Sequence, residues 1–340
     1  MAQAHPPHPA LSLQGRGDFR GLSLRGATVR FGYLACTKGR GFGYTIINLG
    51  VARRLLDMTG GMTGSPDNPQ QIEGASSWQI LLVGALLYFT GLAIYSETNN
   101  EILVPLVGLL GSFTVPVSYI AYFWERRGSS KVSLNTVVYC FFYGGILGAF
   151  AAGLLEPVFI RGFGPIGAFQ IGLIEEFAKI VGVLLIARHM RHTSMLTGLI
   201  LGAAAGMGFA GFESNGYSFQ AFLRTGGNLP AIAEVTVLRG LMAPFAHGTW
   251  TAILSAVLFR QSAPKRFRFD VSVLTAFLGV ALLHGLWDSL PLIMSALGFK
   301  QAPVFGVQLL IGLIGLLILA MLWRDAKWLE VSETRHEEQQ

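Results

Sequence analysis

The chain has 340 residues, of which 52% are hydrophobic and only 13% charged, about half the charged share of a soluble globular protein. That balance excludes a soluble enzyme. The formal charge of +6 sits mainly between apolar runs, so it reads as membrane topology and not as a nucleic-acid footprint.

Residues 1 to about 57 are rich in Arg and Gly, poor in carboxylates and weakly periodic, and the stretch lacks the apolar core of a signal peptide. It is expected to form a disordered cytoplasmic tail reaching residue 77. Met58 and Met62, just before the polar linker "GSPDNPQQIEGASS", offer an alternative start. Beyond the linker, apolar runs predict an all-α, polytopic fold with eight spans, at about 78–96, 102–124, 134–155, 166–187, 194–213, 238–259, 271–292 and 303–323. Together they make one domain, 78–323, followed by a short cytoplasmic tail, 324–340. With both termini inside, 20 of the 25 Lys and Arg residues fall on the cytoplasmic side, and Arg161, Arg224, Arg239 and Lys300 fall in or beside external loops. Cys36 and Cys140 are too far apart to suggest a disulfide framework or a thiolate zinc site. Gly144 with Gly148, and Gly202 with Gly206, have the GxxxG spacing that lets helix backbones approach closely in lipid.

Against this background seven intramembrane residues need explaining: Glu175, Glu176, Lys179, Glu213, His247, His284 and Asp288. A carboxylate at the bilayer centre costs about 2.5–3.5 kcal/mol on insertion scales, so such groups normally face protein or a water-filled cavity. At a rise of about 1.5 Å per residue, Glu175 lies about 14 Å, His247 about 13 Å and His284 about 12 Å below the outer surface, with Asp288 a turn shallower and Glu213 near the outer end of its span. A shared depth on four spans predicts one cavity open to the outside. Lys179 is placed at i+4 from Glu175 and i+3 from Glu176, so it can neutralise one carboxylate while the other points elsewhere. His284 and Asp288 share an i,i+4 spacing, as do His247 and Thr251; the carboxylate or hydroxyl can take one imidazole nitrogen and leave the other for a metal or a substrate. The chain has no HExxH, GxSxG, Walker or CxxC motif.

The order "EEFAK", "GFAGFE", "HGLWD" on successive spans resembles the PrsW family of intramembrane proteases, distant relatives of the CAAX prenyl proteases. The family pattern EExxK, FxxxE, HxxxD falls here on Glu175, Glu176 and Lys179, on Phe209 and Glu213, and on His284 and Asp288; a further block falls on Arg239, His247 and Thr251. One departure is Ser214, where the family often has Asn directly after the second-motif Glu; Asn215 comes one residue later. The resemblance implies hydrolysis of a peptide bond in a membrane-anchored protein such as an anti-sigma factor. In the expected mechanism Glu175, or else its neighbour Glu176, activates a water, His247 and His284 polarise or protonate the scissile amide, and Glu213 either completes a ligand set or orients a histidine. Zinc is the candidate cofactor, held by Glu213, His247 and His284 with an open fourth position; a metal-free mechanism uses the same residues. Intramembrane carboxylates and histidines also serve ion-coupled transporters, and a non-catalytic scaffold or immunity protein is a third reading.

Overall fold

The computed structural model describes residues 75–340, apart from 129, 161, 163, 191–193, 263–265, 300 and 339–340. The expected tail up to residue 74, the alternative starts Met58 and Met62, and the loop residues Arg161 and Lys300 lie outside the described residues. Among the described residues nine helices follow one another: α1 (Ser77–Thr98), α2 (Leu103–Glu125), α3 (Leu134–Phe159), α4 (Pro165–Ala187), α5 (Met195–Thr225), α6 (Leu229–Met242), α7 (His247–Gln261), α8 (Val271–Ala296) and α9 (Gln301–Glu338).

In so apolar a chain the helix starts are set by isolated polar residues. Ser76, Ser133, Ser194, Asn228 and Asp270 each accept a hydrogen bond from the backbone N–H three residues on, satisfying one of the unpaired donors of a first turn. Pro165 opens α4, where its missing N–H costs nothing. Among the described residues seven stretches are long and apolar enough to cross a membrane, α6 and α7 counting together as Leu229–Gln261. The eighth long helix of the core, α4, has 23 residues and carries Glu175, Glu176 and Lys179.

Three helices differ most from the spans read in the sequence, and one of them, α9, continues to Glu338 through the stretch 324–340 expected as a tail. The fifth span does not stop near residue 213: α5 runs on to Thr225 and closes on Gly226, whose positive φ of 62° suits a glycine. Glu213, Ser214 and Asn215 lower the hydropathy there without breaking the helix. The sixth span starts earlier, at Leu229, and is broken in the middle by a short 3-10 turn, Ala243–Phe245, that contains Pro244. His247 therefore stands on the first turn of α7 and not inside a continuous helix.

At the centre lies α5, buried on all sides from Met195 to Gly211. Its Gly- and Ala-rich sequence makes this possible. A Cβ at Gly202 or Gly206 would run into the backbone carbonyl of Thr251 or His247, so these glycines bring α7 directly onto α5. Gly144 and Gly148 of α3 do the same against Ala205 and Phe209. A π turn, Cys140–Gly144, shifts the register of α3 just before these contacts. On the other side Gly172 of α4 packs against Ala281 and His284, and Gly285 of α8 packs against Phe169. These contacts set α4, α5, α7 and α8 close enough for their polar side chains to meet.

Candidate active site

The centre of the site is the Lys179 ammonium, fully buried on α4. It donates to Glu175 Oε2 at 2.9 Å, to Glu176 Oε1 at 2.9 Å and to His247 Nδ1 at 2.8 Å, which uses all three of its N–H donors. The Phe209 ring lies 3.9 Å from Nζ and offers its electron-rich face to the charge. The lysine thus holds both glutamates, where the spacing alone predicted one.

The two glutamates differ sharply in surroundings. Glu176 is completely buried and has every oxygen engaged: Oε1 with Lys179 and, at 3.1 Å, with His284 Nδ1, and Oε2 with the Thr251 hydroxyl at 3.0 Å. Glu175 faces a cavity of about 570 Å³, and its Oε2 lies 3.6 Å from His284 Nε2 and 3.8 Å from His247 Nδ1.

The hydrogen bonds assign the imidazole tautomers. An ammonium has no acceptor, so His247 Nδ1 accepts from Lys179 and its proton sits on Nε2, 3.3 Å from Glu213 Oε2. His284 donates from Nδ1 to Glu176, which turns its Nε2 lone pair toward Glu175 and toward Asp288 Oδ2, 3.4 Å away. Trp250 packs on His284 with ring centroids 4.9 Å apart and fixes the imidazole planes from below.

A second clamp holds the far side. Arg239 of α6 binds Glu213 Oε2 at 2.6 Å, donates from Nε to the Ser214 hydroxyl at 3.2 Å and lies 4.2 Å from the Tyr217 ring centroid. Ser214 therefore serves the arginine, and Asn215 faces Gly108 of α2; the amide one residue late does not reach the cavity lining.

Of the ten residues singled out from the sequence, Glu175, Phe209, Glu213, Arg239, His247, His284 and Asp288 line the cavity, while Glu176, Lys179 and Thr251 form the layer behind it. Sequence reasoning missed Glu156 and Trp287 in the lining, which Tyr217, at its expected place in the family pattern, also joins. For Glu156 a signal existed: it is a lone carboxylate at the outward end of the third apolar run, on the side where the others gather.

The donor atoms fit a metal in kind and in spacing. Glu175, His247 and His284 each bring one ligand atom within 4.8 Å of the others. Two of these separations, 3.6 and 3.8 Å, are close to the roughly 3.3 Å between ligands held tetrahedrally at about 2.0–2.1 Å from zinc. The structure groups Glu175 with the two histidines; Glu213, the carboxylate of the set read from the sequence, lies against His247 Nε2 and is gripped by Arg239.

Residues 132–322 match the model of a family described as PrsW family intramembrane metalloprotease. No curated protein and no solved structure matches the chain.

Proposed function

The chain belongs to the PrsW family of intramembrane metalloproteases, and from that premise we propose that it hydrolyses a peptide bond of a membrane-anchored protein, such as an anti-sigma factor, in the outer half of the bilayer. The observation that carries this reading is Glu175: one carboxylate that faces a cavity, backed by a lysine and flanked within 3.8 Å by two histidines of defined tautomer. The lining comes from the end of α3, the start of α4, the second half of α5 and the second half of α8, which is one end of the bundle. In the positive-inside orientation, with both termini cytoplasmic, that end is the outer one.

In the proposed reaction Glu175 takes a proton from a water in the cavity as the water oxygen adds to the scissile carbonyl carbon. His247 donates through Nε2–H to the oxygen on which negative charge develops. When the C–N bond breaks, the proton held by Glu175 passes to the leaving nitrogen, giving a carboxylic acid and an amine. Glu176 and Thr251 keep His284 and Lys179 in place, and Lys179 holds the Glu175 carboxylate from behind at 2.9 Å. Zinc would be held by Glu175, His284 and His247, the last only with its Nδ1 lone pair released by Lys179, and would supply Lewis-acid polarisation of the carbonyl. Glu175 offers the same oxygen to a water and to a metal, and metal content separates the two uses.

An ion-coupled transporter needs a polar route to the opposite face. Here the described residues of α5 toward its start, Leu199, Ile200, Leu201, Ala203 and Ala204, are fully buried and apolar, which supports the protease reading.

The test is cleavage of a single-pass membrane reporter by purified protein in proteoliposomes. Glu175→Gln and His284→Ala should each abolish cleavage while the proteins remain folded; retained cleavage in both removes the proposal. Elemental analysis and chelation test the metal: bound zinc, lost together with activity, is the expected result, and full activity in metal-free protein removes it.

A further inference from the structure

Four carboxylates line the cavity, those of Glu156, Glu175, Glu213 and Asp288, and Arg239 is the one lysine or arginine among the lining residues. Two of the four are held by a cation, and a third lies beside an imidazole. Glu175 is held by Lys179 from behind at 2.9 Å, Glu213 by Arg239 at 2.6 Å, and Asp288 stands 3.4 Å from His284 Nε2. Glu156, near the end of α3 and half-buried, makes no side-chain hydrogen bond or ion pair with any other described residue. Nor is it crowded: the neighbouring lining positions on its helix are Ala149, Ala152 and Gly153, and a Cβ at Gly153 would meet nothing within 4 Å.

An ionised carboxylate at the wall of a membrane cavity is poorly solvated, and so is a lysine or arginine side chain brought into the bilayer by a substrate. Each lacks what the other supplies, and pairing them relieves both. A neutral side chain would gain little there, and an acidic one would be repelled by the excess of carboxylates. We infer that Glu156 is a specificity-determining residue: its carboxylate receives a basic side chain of the membrane-anchored substrate, close to the bond that is cut. The inference rests on the protease reading. It adds a substrate class, namely membrane segments with a Lys or Arg in the part that enters the cavity.

The experiment uses the full chain in proteoliposomes with single-pass reporters that differ only in one residue, Lys, Gln or Glu, placed in turn at each position of the segment around the cleaved bond. At one register the wild type is expected to cut the Lys reporter at least about tenfold faster than the Gln reporter, with the Glu reporter slowest. Glu156→Gln is expected to bring the Lys-to-Gln ratio to within about twofold, and Glu156→Lys to favour the Glu reporter. Thermal unfolding of each variant reports folding, and Glu156→Gln, nearly identical in shape, decides the matter if Glu156→Lys does not fold. A ratio that survives Glu156→Gln, or an equal loss on all three reporters, overturns the assignment. Cleavage that persists in Glu175→Gln, or a wild type that cuts no reporter, overturns the protease reading itself, so the two failures are distinct.

Discussion

Replacing Lys179 by Met keeps the length of the side chain and removes the charge. The lysine is completely buried and makes three contacts of 2.8–2.9 Å, two of them to carboxylates that are 5% and 0% exposed. Removing one partner of a buried ion pair costs about 3–5 kcal/mol, because the remaining charge is left without compensation. At about 4 kcal/mol the folded-to-unfolded ratio drops on the order of a thousandfold. The assay is unfolding in mixed micelles, followed by the fluorescence of the six tryptophans. Adding Glu176→Gln to Lys179→Met removes one of the stranded charges, so the double variant should regain at least about 1 kcal/mol over the single one. A Lys179→Met protein within about 1 kcal/mol of wild type, or a double variant no more stable than the single, would refute the view that the ammonium is what allows two glutamates to sit there.

Other outcomes follow from the packing and the clamps. Gly206→Val should destabilise by about 1–3 kcal/mol, since its Cβ collides with the His247 carbonyl, whereas Gly279→Ala, with open space around it, should change stability by less than about 0.5 kcal/mol; thermal unfolding of both proteins checks the contrast. Arg239→Lys cannot hold Glu213 and Ser214 together or stack on Tyr217, and kcat/KM on a membrane reporter should fall about tenfold or more while expression is retained. Thr251→Val removes the hydroxyl bound to Glu176 Oε2; a hydrogen bond to a charged group contributes about 1.5–3 kcal/mol, and a loss of stability in that range is expected in the same unfolding assay.

The membrane class, most of the helical spans and the residues of the site were legible in the order of amino acids alone. Hydropathy is a one-dimensional property, and at about 1.5 Å of rise per residue a position along a span is also a depth; hence Glu175, His247 and His284 could be placed at one level, with Asp288 a turn shallower, before any packing was known. The glycine pairs were legible for a similar reason, because i,i+4 spacing defines a helix face. Glu156 escaped because hydropathy treats a carboxylate at the end of a run as the end of the run. The break at Ala243–Phe245 escaped because an averaging window does not see one turn of changed backbone.

How the charges share their work depends on packing between helices. Spacing along α4 allowed Lys179 to reach either glutamate, but the choice depends on what α5, α7 and α8 bring to the other side. His247 takes the third donor of the lysine, and His284 and Thr251 occupy Glu176. That leaves Glu175 as the member of the pair that faces the cavity. Rotation of a helix about its own axis and the tautomer of a histidine are set by neighbours distant in sequence, through contacts that no single span encodes.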